Sequence, residues 1–247
     1  MIVFVNTNGS LVEKRASEIS RENFDFVRVS IDGTREFHDK VRRYSGAFDS
    51  AIRAVEIFNK KKISCMINTV VTDFTEAGMM SGLLGKAREL GVKVSLTPAI
   101  HSLPCIENPQ RKDLGKDLKK TLISMQKFLR VLREAQKQYP EVIDDPGAYW
   151  KIIEKGGLEK YGCRVMDTAI GIKPDGRLGF PCADFPAKAV AGRTLAEAYY
   201  GKEAEKQRRL QGKYWFCENC FSRCGAFPTM LLDAKALLSL AISWSDF

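Results

Sequence analysis

The stretch Phe26-Val-Arg-Val-Ser-Ile-Asp-Gly33 alternates apolar and polar side chains without a break. Because successive side chains of a strand point to opposite faces, the two valines and the isoleucine share one face, and Arg28, Ser30 and Asp32 share the other. The stretch therefore predicts a β-strand with one buried face, which ends at the glycine.

Strand and helix patterns alternate on both sides of this stretch. The predicted strands cover residues 2–6, 26–31, 63–72 and 92–97, and the predicted helices begin at Ser10 and cover 48–60 and 76–90. Such alternation with short connections calls for parallel strands joined by right-handed crossovers. A polar loop that contains His38 is predicted between the second strand and its helix, and a lone loop histidine is expected to be solvated.

Polar residues recur near the carboxyl ends of the predicted strands, namely Asn6, Asn8, Ser30, Asp32, Asn68, Ser95 and Thr97. Central strands of an open sheet that is covered on both faces read as nearly continuous apolar runs. A barrel with a partly polar lumen explains the pattern better, and its active site would lie at those strand ends. The alternative, that Ser30, Asp32 and Asn68 only cap neighbouring helices, stays open.

The C-terminal part is rich in cysteine, with Cys163, Cys182, Cys217, Cys220 and Cys224. The run Cys217-Glu-Asn-Cys220-Phe-Ser-Arg-Cys224 spaces three thiols so that they can converge on one centre, as in structural zinc sites and iron–sulfur clusters. A hairpin signal at residues 174–177 can bring the other two thiols to the same place. The alternative is several buried free cysteines and a disulfide.

Composition limits the function classes. The chain has 247 residues, 39 lysines and arginines against 30 acidic residues, and a net charge of +9. Much of the positive charge lies in residues 111–137, on a predicted amphipathic helix whose basic face is interpreted as solvated surface, so no nucleic-acid partner is predicted. No secretory signal and no stretch long enough to span a bilayer is visible, which predicts a cytoplasmic protein without a membrane partner. In that reducing compartment, seven cysteines favour metal chemistry over disulfides.

Several segments together resemble a known family. VRVSIDG (27–33), HDKVR (38–42), GAFDSAIRAVEIF (46–58) and INTVVT (67–72) resemble the middle of a radical S-adenosylmethionine (SAM) barrel. Cys163, IKPDGRLGFPC (172–182) and CENCFSRC (217–224) resemble the SPASM or twitch extension of such enzymes. The resemblance implies an α/β fold: a partial (β/α) barrel of radical SAM type in residues 1–145, followed by a small cysteine-rich α+β extension, a β-hairpin plus helices, in 146–247.

The resemblance also implies a chemistry. A [4Fe–4S] cluster reduces bound SAM, and the resulting 5′-deoxyadenosyl radical abstracts a hydrogen atom from a peptide or a small-molecule cofactor precursor. The implied cofactor-binding residues are Thr7, Asn8, Gly9, Ser30, Asp32, Arg42 and Asn68. The five C-terminal cysteines become candidate ligands of an auxiliary [4Fe–4S] cluster, which needs four thiolates, and an electron donor protein becomes an expected partner.

One departure from the family pattern matters. The CxxxCxxC run that holds the SAM-binding cluster is missing from this sequence, and the run at 217–224 has the reverse order, CxxCxxxC. We therefore expect either a fragment of a longer chain, preceded by a βα unit of roughly 30 or more residues, or a partial barrel that kept only the auxiliary site. SAM binding is expected only if the missing segment is supplied.

Other function classes remain open at this stage. Four thiolates also make an all-cysteine zinc site, so a non-catalytic, zinc-stabilised interaction protein is the alternative. A hydrolytic barrel enzyme is disfavoured, because His38 and His101 have neither metal-binding nor triad spacing. Cys65 is predicted to pack in the core, and Cys105 is a thiol without an assigned role.

Overall fold

The computed structural model describes residues 3–99, 123–144, 147–172, 176, 178–180, 188–190, 194–214, 217 and 220–233. These residues fall into two compact units. The first contains residues 3–99 and 123–144, and the second contains the described residues from 147 to 233.

The first unit alternates strands and helices. Its elements in chain order are β1 (Phe4–Thr7), β2 (Phe26–Ser30), α1 (Arg35–Arg42), α2 (Ala47–Lys60), β3 (Ser64–Val71), α3 (Ala77–Leu90), β4 (Lys93–Pro98) and α4 (Met125–Gln138). All four strands are parallel and lie in the order β1-β2-β3-β4. The predicted α/β class with a parallel sheet is confirmed, whereas closure of the sheet into part of a barrel stays a prediction.

The register places side chains of like character on the same face of the sheet. Val29 pairs with Ile67, which pairs with Val94, and all three are fully buried. Helix α2 packs on β2 and β3, and α3 and α4 pack on β4. The alternating burial of β2 is therefore the consequence of the strand period that the sequence shows.

The predicted helix from Ser10 is wrong. Residues 10–18 form successive turns, with bonds such as Val12 N to Gly9 O at 3.1 Å and Glu18 N to Arg15 O at 2.9 Å. The residues of the predicted capping box have other partners. Ser10 Oγ donates to Asn8 Oδ1 (2.9 Å), and Glu13 accepts from Arg53 Nε (2.8 Å).

The predicted polar loop after β2 is also wrong, because residues 35–42 form α1. This helix buries His38, which is only 1% exposed, instead of an apolar stripe. A search for hydrophobic periodicity cannot detect a helix whose buried side chain is polar.

The predicted basic helix is described only in its second half, as α4. Ser124 caps it by accepting a hydrogen bond from Lys127 N (3.2 Å), and Phe128, Leu132 and Ala135 form its buried face. Residues 100–122, which contain His101 and Cys105, lie outside the described part.

The second unit combines short helices with a small sheet. Its elements are α5 (Gly147–Glu154), α6 (Leu158–Tyr161), α7 (Val165–Thr168), β5 (Gly171–Ile172), β6 (Leu178–Phe180), β7 (Lys188–Val190), α8 (Leu195–Tyr200), α9 (Lys202–Arg209) and α10 (Arg223–Met230). The three strands are antiparallel in the order β5-β6-β7. A core cluster joins the sheet to the helices through Val165, Met166, Leu178, Ala198 and Ala204. The predicted α+β extension with a hairpin is confirmed.

One helix of this unit differs from its predicted bounds. The single helix predicted from Thr194 is interrupted at Gly201, where the backbone is extended, although Thr194 does cap α8 by accepting from Glu197 N (3.1 Å). Helix α10 (Arg223–Met230) was not predicted as a helix, and most of the helix predicted from about Thr229 lies outside the described residues. Among the helices in the described ranges, none has the length and apolar character needed to cross a membrane.

Candidate functional site

Four polar side chains lie together on one face of the sheet of the first unit. In the register, Ser30 of β2 pairs with Asn68 of β3, which pairs with Ser95 of β4. Aligned residues of adjacent strands lie on the same face, so we call Ser30, Asn68, Ser95 and Thr97 the polar row. Thr97 Oγ1 donates to Asn68 Oδ1 at 3.5 Å. The structure thus brings together two predicted site residues and two that were predicted only as part of a pattern.

Asp32, just beyond β2, holds three elements together. Its carboxylate is nearly inaccessible and accepts hydrogen bonds from Arg42 Nε of α1 (Oδ2, 2.7 Å) and from the backbone N–H of Val70 in β3 (Oδ1, 3.1 Å). Asp32 and Arg42, two of the predicted cofactor-binding residues, are therefore in direct contact. Both carboxylate oxygens of Asp32 already accept hydrogen bonds from the protein. The main role of Asp32 is therefore to fix α1 and β3 relative to the end of β2.

His38 completes this network and was missed as a site residue. Its Nδ1 accepts a hydrogen bond from the backbone N–H of Asp32 (3.0 Å), which requires the neutral tautomer with the proton on Nε2. Burial lowers the pKa of His38, the Asp32 carboxylate opposes this, and the Arg42 guanidinium adds to it. In the sequence, His38 stands in the polar stretch HDKVR (38–42), which was interpreted as a loop, so its burial was not predicted.

The turn after β1 contains three predicted cofactor-binding residues. Thr7 Oγ1 accepts from Gly9 N (3.1 Å), and Asn8 Oδ1 accepts from Ser10 N (3.1 Å). Gly9 has φ +81° and lies so close to α2 that a Cβ atom would come within 2.8 Å of the Ala51 Cα. Only glycine satisfies both conditions, so α2 fixes the position of this turn at the carboxyl end of β1.

Three cysteines of the second unit have described side chains. Cys163, Cys217 and Cys220 are half-buried and form no disulfide. Burial raises the pKa of Cys163, and the proximity of Cys217 raises it further; burial also raises the pKa of Cys217. Thus two thiols separated by 54 positions lie near each other. Cys182 and the side chain of Cys224 lie outside the described part.

Backbone contacts hold the cysteine loop, which we define as residues 217–224, against α5 and α6. The carbonyl of Cys220 accepts from Leu158 N at 2.8 Å, and the carbonyl of Phe221 accepts from the Tyr149 hydroxyl at 2.9 Å. Gly157 is adjacent, because a Cβ atom there would lie 2.7 Å from the Cys220 carbonyl oxygen. The loop is therefore anchored by residues about 60 to 70 positions earlier in the chain.

The donor chemistry fits a thiolate-bound metal or cluster. Thiolates are the ligands that zinc and iron–sulfur clusters prefer, and Cys163 lies near Cys217, which a backbone hydrogen bond joins to Cys220. Among the described side chains alone, no three His, Cys, Asp or Glu residues form a metal-binding group. The complete ligand set of Cys163, Cys182, Cys217, Cys220 and Cys224 therefore stays a prediction.

No family model matches the chain. Comparisons with curated sequences nevertheless find relatives that match short segments of it. The cysteine-type anaerobic sulfatase-maturating enzyme of Clostridium novyi is 34% identical over 74 residues, which are 29% of this chain and 20% of that enzyme. Fe-coproporphyrin III synthase of Methanosarcina barkeri is 39% identical over 56 residues, 22% of this chain and 14% of that protein. The serine-type anaerobic sulfatase-maturating enzyme of Bacteroides thetaiotaomicron is 34% identical over 73 residues, 28% of this chain and 18% of that enzyme. The matched segments thus span a fifth or less of these relatives.

Solved structures show the same fold over more of the chain. The structure of anSMEcpe with bound AdoMet and Kp18Cys peptide matches with a TM-score of 0.60 at 20% sequence identity. The matched region covers 85% of this chain and 60% of the anSMEcpe chain. A second structure, anSMEcpe with bound AdoMet, matches with a TM-score of 0.59 at 17% sequence identity. That matched region covers 98% of this chain and 71% of the anSMEcpe chain. The predicted resemblance is thereby confirmed: the chain is homologous to members of the radical SAM/SPASM family.

Proposed function

We propose that this chain acts as a radical SAM-type iron–sulfur enzyme, or as a portion of one, that carries out radical modification of a peptide or a cofactor precursor. The observation that carries the proposal is the polar row beside the Gly9 turn and the Asp32 network. In parallel (β/α) architectures, active sites lie at the carboxyl ends of the strands, where these groups are found. The radical SAM relatives supply the reaction class.

The first unit would bind SAM. The turn residues Thr7, Asn8 and Gly9, together with Ser30 and Asn68, offer hydroxyl, amide and backbone groups to a ligand with ribose hydroxyls and an amino-acid end. Asp32 and Arg42 would position these groups by tying β2, β3 and α1 together. When bound, SAM and its cluster supply the radical, while the protein binds, orients and shields.

The second unit would hold an auxiliary [4Fe–4S] cluster through four of the five cysteines. The neighbourhood of Cys163 and Cys217 and the anchoring of the cysteine loop support this assignment. A low-potential electron donor protein would supply electrons. The same thiolates suit zinc, and in that case the chain would be a structural interaction protein.

Two features of the relatives support the substrate classes. One solved anSMEcpe structure contains a bound Kp18Cys peptide, which favours a peptide, and one curated relative is Fe-coproporphyrin III synthase, which favours a cofactor precursor. Both substrate classes therefore belong to the proposal.

The experiment that tests the auxiliary centre measures iron, acid-labile sulfide and zinc per chain after anaerobic reconstitution. We expect about four iron and four sulfide in the wild type and loss of both in a Cys217→Ala/Cys220→Ala variant. Cys65→Ala is the matched control, because Cys65 is buried in β3 of the other unit and should leave the metal content unchanged. About one zinc without sulfide would refute the iron–sulfur assignment.

A second experiment tests the SAM chemistry. The natural reading frame before Met1 is sequenced, and the anaerobic protein, extended by whatever it encodes, is incubated with SAM and a reductant. Binding and consumption of SAM are expected. An upstream frame without CxxxCxxC, together with neither binding nor consumption, would refute the enzyme proposal.

A further inference from the structure

A glycine of the second unit lies against the first of the two neighbouring thiols. Gly212 is buried and has φ +74°, a backbone conformation that residues with a Cβ atom rarely adopt. A Cβ atom at this position would lie 3.1 Å from the Cys163 Cβ and 3.4 Å from the Cys163 nitrogen. An alanine would therefore displace Cys163 by a few tenths of an ångström as well as strain its own backbone.

The same glycine contacts the second thiol. Burial raises the pKa of Cys217, and hydrogen bonds that the backbone N–H groups of Tyr214 and Gly212 donate to its sulfur oppose this rise. The Cys217 N–H in turn donates to the Tyr214 carbonyl at 2.8 Å, which closes a short turn. Gly212 therefore contacts both thiols of the neighbouring pair.

The side chain next to Gly212 fixes this segment on the helix that follows Cys163. The Gln211 Oε1 atom accepts a hydrogen bond from the Met166 backbone N–H (3.0 Å), and the Nε2 atom donates to Asp167 Oδ2 (3.2 Å). Both partners belong to α7, which begins two residues after Cys163. Two hydrogen bonds between residues about 45 positions apart thus hold the Gly212 backbone against Cys163.

Thr229 of α10 supports Cys163 through its hydroxyl group. Its side chain is only 3% exposed, and its Oγ1 atom accepts from the Arg164 backbone N–H (2.9 Å) and donates to the Gly225 carbonyl (2.7 Å). Burial raises the pKa of Cys163, and a hydrogen bond from this hydroxyl to the Cys163 sulfur opposes that rise. A hydroxyl has one proton and can rotate, so it can turn from the Gly225 carbonyl to a Cys163 thiolate, which is the form that binds metals.

We propose that Gly212 and Thr229 are positioning residues that hold Cys163 and Cys217 as a dithiol for the C-terminal metal centre. Gly212 sets the separation of the two sulfur atoms, because it packs on one cysteine and donates to the other. Thr229 stabilises the thiolate of Cys163. Groups that orient metal ligands typically change metal affinity about 10–100-fold. The metal rests on the proposed function, whereas the arrangement of the dithiol does not depend on it.

The test measures the zinc affinity of the metal-free protein, by competition with a chromophoric chelator, in the wild type and four variants. Gly212→Ala should bind zinc about tenfold more weakly. Gly176→Ala, with φ +80° and nothing within 4 Å of the added Cβ atom, should bind zinc like the wild type. Thr229→Val keeps the shape and loses the hydroxyl, so it should also bind zinc about tenfold more weakly. Thr229→Ser keeps the hydroxyl and should retain the wild-type affinity.

Equal zinc affinities of the wild type and Gly212→Ala overturn the inference. A loss in Gly176→Ala as large as that in Gly212→Ala also overturns it, because left-handed backbone strain would then be responsible. Equal losses in Thr229→Ser and Thr229→Val overturn the role of the hydroxyl. If Gly212→Ala does not fold, Gln211→Ala, which frees the same segment without adding an atom, takes its place, and the same loss is expected.

Capture of phenylarsine oxide separates this inference from the proposed function. The reagent forms two As–S bonds with adjacent thiols and releases one water molecule, without any change of oxidation state. With the other three C-terminal cysteines replaced by alanine, it should bridge Cys163 and Cys217, which peptide mass spectrometry identifies, and Gly212→Ala should weaken capture about tenfold. A chain that forms this bridge but takes up neither zinc nor an iron–sulfur cluster refutes the proposed function and retains the inference. Failure to form the bridge, or equal capture by Gly212→Ala, overturns the inference whatever metal the wild type binds.

Discussion

The imidazole Nδ1 of His38 lies 3.0 Å from the backbone nitrogen of Asp32, from which it accepts a hydrogen bond in a position that water does not reach. A proton on Nδ1 would remove this acceptor and leave a charged ring buried. The Asp32 carboxylate, 3.7 Å from Nδ1, compensates only in part, since Arg42 already binds it. The end of β2 therefore depends on a neutral histidine.

We expect the free energy of unfolding to decrease as the pH falls below 6.5, the ordinary pKa of histidine. Burial lowers the pKa of His38 in the folded state, although the carboxylates of Asp32 and Asp39 oppose this. Between the ordinary and the lowered pKa the unfolded state binds more protons, so stability is complete above pH 6.5 and is lost toward acid. Urea unfolding from about pH 8 to about pH 5 measures the slope.

The control for this prediction is His38→Asn, whose Oδ1 can accept from the Asp32 amide but does not titrate. The part of the slope due to His38 should vanish in this variant. An identical pH dependence in the wild type and in His38→Asn would assign the slope to other groups.

Arg42→Ala should lower the free energy of unfolding by about 1–3 kcal/mol, because it leaves the buried Asp32 carboxylate with one donor fewer. Arg53→Ala is a matched control. Its Nε binds Glu13 at 2.8 Å, nearly the distance of 2.7 Å between Arg42 and Asp32, but Glu13 is exposed. Exposed pairs contribute about 0–1 kcal/mol. Denaturant unfolding of both variants checks the difference, and equal losses would contradict the role of burial.

Gly9→Ala should destabilise the protein more than Gly46→Ala. The two glycines have nearly the same φ, +81° and +83°, but an added Cβ atom at Gly46 meets nothing within 4 Å. Gly46→Ala should therefore cost about 1 kcal/mol for the left-handed backbone alone, and Gly9→Ala about 1–3 kcal/mol more for the clash with α2. Thermal and urea unfolding measure both. Equal costs would show that α2 does not fix the turn.

Cys65 should resist alkylation in the native protein at pH 8. Burial raises its pKa to about 11, and only the thiolate is reactive. Iodoacetamide labelling followed by peptide mass spectrometry should modify the half-buried Cys220 and leave Cys65 unmodified until denaturant is added. Labelling of Cys65 at the rate of Cys220 would place it outside the core.

Most strands and helices of the first unit follow from local patterns. The alternation of β2 and the apolar runs of β3 and β4 are visible because burial follows the strand period. Helix α1 was not predicted, because its buried residue is His38, a polar side chain that accepts a hydrogen bond from the backbone N–H of Asp32. The helix predicted from Ser10 failed for a related reason, since Arg53, 40 positions away, binds the glutamate of its capping box. Tertiary contacts that override local preference cannot be read from a window of sequence.

The site shows the same division. The sequence predicts the turn at Gly9 from the Asn8-Gly9 pair, and it places Ser30 and Asn68 near the ends of two strands, but it does not predict that they pair. The contact between Asp32 and the Val70 amide joins residues 38 positions apart, and no spacing rule indicates it. The burial of Arg223 could not be predicted, because an arginine is usually exposed and the sequence does not show the contact between its guanidinium and the ring of Tyr149.

The hydrogen bond from Tyr149 to Phe221 spans 72 residues, and that from the Arg164 amide to Thr229 spans 65. Contacts so distant in sequence form late, because the chain must first lose the entropy of closing the intervening loop. During synthesis, α5 therefore leaves the ribosome long before the cysteine loop that docks on it. A metal held by these cysteines, as we propose, would therefore be bound only by a chain whose cysteine loop has docked on α5.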